Sequence, residues 1–162
     1  MTTHASTQGL TNRPAVQPFL WAGLLLTAVA TIYPFVDAAT TGFMAEHLAA
    51  SYPGYSATEI GAATTAYLVI LAVVGLVGAA GWVVTAWAVR AGKHWAPVLA
   101  TVALVAGAGI AAGGLGVVDT SGDVGLAPVL GWLQVLPVVA GALAVVQLWR
   151  GRARSDTAGG TR

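Results

Sequence analysis

The side chains able to do chemistry are few: six acids, seven bases and three histidines in 162 residues, with no cysteine at all. Without a thiol, disulfide frameworks, thiolate metal sites and membrane dithiol relays are excluded. The five serines, Ser6, Ser51, Ser56, Ser121 and Ser155, all lie outside the long uncharged stretches of the chain, and none of those stretches contains His or Asp. Intramembrane proteolysis by a Ser/His or paired-Asp site therefore has no residues to use. His4, His47 and His94 are placed just as unfavourably for holding a haem between helices. Coupled ion transport usually relies on ionisable groups inside a bundle, and the spans lack them. The expectation is a protein that is not an enzyme and carries no cofactor and no metal centre.

Two groups of residues remain as candidate contacts. Glu46 and His47, with Asp37, Glu59, Asp119 and Asp123, give a rim of five carboxylates and one imidazole. Hard oxygen ligands of this kind suit a divalent cation, while the same charges equally fit a solvated face. The segment Asp119-Thr120-Ser121-Gly122-Asp123 is too short for an EF-hand loop. The other group is Gln134, the one midspan amide, near Pro137. Proline cannot donate to the carbonyl four residues earlier, here Leu133, and implies a kink. The Gln134 amide either satisfies that carbonyl or faces a pocket that opens toward the acidic rim. Gln134, Glu46, His47, Asp119 and Asp123 are the expected ligand or partner contacts.

The elements that must position these residues follow from composition. The chain is 57% hydrophobic and 8% charged, against about 25% charged in soluble domains. Four runs contain no Asp, Glu, Lys, Arg or His: Phe19 to Val36, Ile60 to Val89, Trp95 to Val118 and Val124 to Trp149. A helix rising about 1.5 Å per residue needs roughly 20 residues to cross about 30 Å of hydrocarbon. Each run is long enough or nearly so.

Charge placement predicts which side each end faces. Arg13 precedes the first run, Arg90 and Lys93 separate the second from the third, and Arg150, Arg152, Arg154 and Arg162 follow the fourth. Asp37, Glu46, Glu59, Asp119 and Asp123 lie in the other two connections, and only Asp156 joins the basic side. By the positive-inside rule both termini are cytoplasmic. Trp21, Trp87, Trp95 and Trp149 mark the basic ends of the four runs, and Tyr33, Tyr52, Tyr55, Tyr67 and Trp132 lie toward the other ends. Trp82, deeper than Trp87, reads as a packing residue.

The expected architecture is an all-α integral membrane protein: a four-helix transmembrane bundle with cytoplasmic N- and C-termini and a short amphipathic helix in the first outer loop. Residues 1–18 form a polar cytoplasmic tail, 19–150 the transmembrane domain, and 151–162 a basic cytoplasmic tail. The spans fall at about 19–36, 60–89, 95–118 and 126–149. Ser56-Ala57-Thr58-Glu59 fits a capping box that opens the second span, and Pro97 and Pro128 suit first turns of the third and fourth. Phe43, Met44, His47 and Leu48 recur at helical spacing in the first outer loop. Arg13, the first apolar run and Val36-Asp37-Ala38 imitate a secretory signal, but the run is long for one and holds Trp21, Tyr33 and Pro34.

Glycine supplies the last feature. Gly75, Gly78 and Gly81 in the second span, and Gly109 and Gly113 in the third, offer small faces. In lipid, close backbone approach over such faces holds helices together, so these two spans are expected to pack on each other, with a homodimer face as the alternative. One Lys against six Arg, with abundant Ala, Gly and Val, fits a GC-rich bacterial genome and hence a plasma membrane. The expected partners are the lipid bilayer and a membrane-protein partner or a second copy, with no nucleic acid. The functional expectation is an accessory, assembly or interaction subunit. The alternative is a small-solute transporter or channel formed by oligomerisation.

Overall fold

The computed structural model describes residues 13–159, with side chains described for residues 15–154; His4, Ser6 and Arg162 lie outside the described residues. Five helices follow in chain order: α1 (Arg13–Ala39), α2 (Phe43–Ser51), α3 (Ala57–Arg90), α4 (Ala96–Gly116) and α5 (Pro128–Gly159). There is no strand among the described residues, only one isolated antiparallel bridge between Val118 and Val124. All but α2 are long and apolar enough to cross a membrane, which makes the chain an all-helical multi-pass membrane protein.

The helix ends show why the chain breaks where it does. Ser56 caps α3: its hydroxyl accepts from the Glu59 amide, and the Glu59 carboxylate accepts from the Ser56 amide, a complete capping box. At the other end Gly92 adopts a left-handed φ of 66°, and the Gly92 and Lys93 amides donate back to the carbonyls of Val89 and Ala88. That Schellman turn satisfies carbonyls the helix would otherwise leave open, and it needs a residue without a Cβ penalty. Pro97 sits in the first turn of α4 and Pro128 begins α5.

The expected polar tails are in part helical. α1 begins at Arg13 and α5 continues past Trp149 to Gly159, so both helices extend beyond the uncharged runs. Pro14 is well placed in a first turn, and the Arg-rich stretch after Trp149 contains good helix formers, so nothing halts either helix at the apolar boundary.

The packing order is α3–α1–α5–α4. α1 packs broadly against both α3 and α5, and α5 against α4, whereas α3 and α4 touch sparsely. Two apolar cores close the ends of the bundle. At the end with the α3–α4 turn, Val16, Leu20, Ala88, Val89, Ala96 and Ala144 are buried together. At the end with α2, Met44 and Leu48 are buried against Leu71, Leu126, Ala127 and Leu130. α2 thus lies across the bundle end, with Phe43 left 46% exposed.

The expectation that the second and third spans, α3 and α4, pack through their glycine faces is not what the structure shows. Gly75 abuts Thr31 of α1 so closely that any Cβ would collide with it, and a Cβ on Gly78 would lie 3.3 Å from Thr27 Cγ2. Gly81 and Gly109 have open space, and a Cβ on Gly113 would meet only Val117, the residue just after α4. α1 presents threonines that fill the α3 notches, while glycines on α3 and α4 leave no knob to close the gap between them. Other tight glycines lie outside that set. Gly23 on α1 makes room for the Trp82 ring, which also lies 3.6 Å from a Cβ built on Gly141 of α5. Trp82 Nε1 donates to Thr27 Oγ1 at 2.9 Å, so this α3 side chain reaches both α1 and α5.

Candidate functional site

The sparse contact between α3 and α4 leaves a cleft of about 380 Å³ along the bundle. Gly75, Gly78 and Gly81 of α3 face Ala103, Ala106 and Gly107 of α4, and Thr27, Gln134 and Pro137 contribute from α1 and α5. The cleft is apolar apart from Thr27, Thr85, the Trp82 ring nitrogen and the Gln134 amide. Thr27 and Trp82 are already bonded to each other. Among the described residues no hydrogen bond reaches the Gln134 amide, so the expected bond to the carbonyl freed by Pro137 is not made. Gln134 is the cleft's one uncommitted amide.

A second cavity, about 210 Å³, continues toward the α2 end. Val74, Ile110 and Gln134 line both cavities, and the far wall of the second is made by Tyr67, Asp119 and Gly125. A Cβ on Gly125 would collide with the Tyr67 hydroxyl and lie 3.3 Å from Asp119 Oδ2. The glycine therefore lets a phenol and a carboxylate meet at one mouth.

Asp119 is oriented by its own turn. Its Oδ1 accepts from the Ser121 amide at 2.8 Å and from the Ser121 hydroxyl, leaving Oδ2 on the cavity side. The Ser121 hydroxyl, then the Ser121 amide, hold the Asp119 carboxyl below its ordinary value, against a smaller opposing desolvation. His47 Nε2 lies 2.7 Å from the Val124 carbonyl; because a carbonyl only accepts, that nitrogen carries the proton and donates. This bond ties α2 to the α4–α5 turn, which Tyr52 also reaches through Thr120 at 3.0 Å.

The other rim residues separate. Asp37 is 1% exposed, with its carboxylate accepting from Thr41 Oγ1 and from the Phe43 and Met44 amides. It is a structural pin at the start of α2. Glu59 serves the α3 capping box, while Glu46 and Asp123 are exposed. No three His, Asp or Glu side chains gather in a metal-binding arrangement among the described residues. Asp119 and His47 come together with Tyr52 and Tyr67, two residues the sequence marked only as interfacial aromatics. Gly125 completes the set that spacing alone did not reveal, while Trp82, read from the sequence as a packing residue, does pack against Gly23 and Gly141.

Fold and cleft together define a four-span helical membrane protein with a lateral, largely apolar cleft. No family model matches the chain, and no curated protein and no solved structure matches it.

Proposed function

We propose that this protein is a non-enzymatic membrane subunit that works by contact, holding a slender apolar molecule in the cleft between α3 and α4. The observation that carries this reading is the cleft itself: its volume falls in the range of about 300–1,000 Å³ typical of small-molecule sites, with apolar walls and one free amide. The absence of nucleophile, base and paired carboxylates from the apolar runs supports contact over chemistry. Charge segregation supports cytoplasmic N- and C-termini, with α2 and the Asp119 turn on the outer side of a bacterial plasma membrane.

The test is photolabelling of the full-length protein in bilayers with a diazirine-bearing long-chain alcohol. Labels should concentrate on cleft residues such as Val77 and Ala106 and disappear when Ala103→Trp fills the space. Even labelling over all lipid-facing surfaces would refute the reading. Orientation has its own test, made simple by the lack of native cysteine. Thr41→Cys and Ser121→Cys should react with an impermeant thiol reagent on intact cells, and Gly92→Cys should not.

A second reading, a small-solute transporter or channel formed by oligomerisation, is favoured by Gln134 and Pro137 both lining the cleft and by its continuation to Asp119. Solute flux through liposomes containing the purified protein would support it.

A further inference from the structure

The two cavities share three wall residues and differ in chemistry at their ends. Along α4 the larger one runs from Ala100 to Ile110, which at about 1.5 Å per residue is about 15 Å. The centres of water-sized spheres sweep a cross-section of about 25 Å² over that length, so with a water's own width of about 2.8 Å added the walls stand about 8 Å apart. A helix with side chains is about 10–12 Å across and does not fit. A single hydrocarbon chain, whose carbons pack about 3.5–4.0 Å from their neighbours, does.

The other end is built for a charge. Asp119 Oδ2 faces the smaller cavity, Tyr67 puts an aromatic ring in the same wall, and neither Lys nor Arg lines either cavity. A carboxylate beside an aromatic ring is the combination that recognises alkylammonium groups, by ion pairing and by cation–π attraction. An anionic head would meet the negative charge of Asp119 with no Lys or Arg in either lining to offset it.

Resting on the proposed lateral cleft, we propose that it is a binding site for a single-chain amphiphile with a cationic alkylammonium head. The head sits at Asp119 and Tyr67, the chain passes Gln134, and the tail lies between Gly78 and Gly107. The Gln134 amide, where the two cavities join, accepts or donates to any polar linker between head and tail.

The experiment uses the full-length protein in dodecyl maltoside and three probes with the same tail: hexadecyltrimethylammonium, hexadecyl sulfate and hexadecanol. Bound probe is read by native mass spectrometry. The cation should bind at least about tenfold more tightly than the sulfate. Asp119→Asn keeps an oxygen for Ser121 but removes the charge; it should abolish the preference for the cation and leave hexadecanol binding unchanged. Ala103→Trp, and Val77→Trp from the opposite wall, should weaken all three. Equal binding of cation and sulfate, or a preference that survives Asp119→Asn, overturns the inference. If the tryptophan variants still abolish hexadecanol binding in that case, the lateral cleft stands without the cationic head. If folded tryptophan variants bind all three probes normally, both readings fall.

Discussion

Asp37 and Asp119 are both held by donors from their own turns, but one is 1% exposed and the other keeps an oxygen on a cavity. For Asp119 the Ser121 bonds lower the folded value below the ordinary carboxylate range near about 3.9. A lowered folded value contributes stability that is fully present above the unfolded value and is lost as pH falls through the folded one. Thermal denaturation of the wild type should therefore be flat from neutral pH down to about pH 5 on this account and decline below about pH 4. Asp119→Asn should remove the part of that decline owed to this turn. His47 and the hydroxyls of Tyr52 and Tyr67 are the other titratable groups around it, and none of them is changed in the comparison. The glycines divide as sharply. Gly75→Leu should cost about 1–3 kcal/mol or prevent folding, because Thr31 occupies the space, while Gly113→Leu should be tolerated. Melting temperatures of the two variants check this. The G-x-x-x-G spacing was legible in the sequence; which neighbour each glycine meets was not, since spacing along one helix carries no information about the helix facing it.

α2 shows what a local pattern can and cannot reveal. The Ser56–Glu59 box was readable because both partners lie within one turn of the helix they cap. Asp37 was not readable as a cap: it lies six and seven residues before the amides it serves, and it reaches them because Gly42, at a left-handed φ of 69°, reverses the chain between α1 and α2. Asp37→Ala leaves the Phe43 and Met44 amides and the Thr41 hydroxyl without that acceptor. Each buried unsatisfied group costs about 1–3 kcal/mol. Hydrogen exchange should show the first-turn amides of α2 losing protection, while α3 and α5 keep theirs. Unchanged protection at Phe43 and Met44 would show that the carboxylate is not what seats the helix.

At the scale of the molecule, the number of spans was legible and their arrangement was not. In a soluble bundle the apolar stripe marks the buried face; in lipid, Leu76, Val102 and Val105 are exposed and as apolar as the core, so periodicity does not distinguish the two sides. The arrangement depends on single contacts: Trp82 in the notch of Gly23, Thr31 in that of Gly75, and Leu115 against Gly131. These place α1 and α5 between α3 and α4 and leave the seam that forms the cleft. Because the chain has no cysteine, pairs can be introduced without background. Thr27→Cys with Gly78→Cys links α1 to α3, and Gly107→Cys with Val138→Cys links α4 to α5, at positions in close contact. Gly78→Cys with Gly107→Cys places both thiols on opposite walls of the cleft. Under mild oxidation in native membranes the first two pairs should form disulfides readily, while the third should not, and should be joined only by a longer bifunctional thiol reagent. A disulfide between positions 78 and 107 forming as fast as the other two would contradict the open seam.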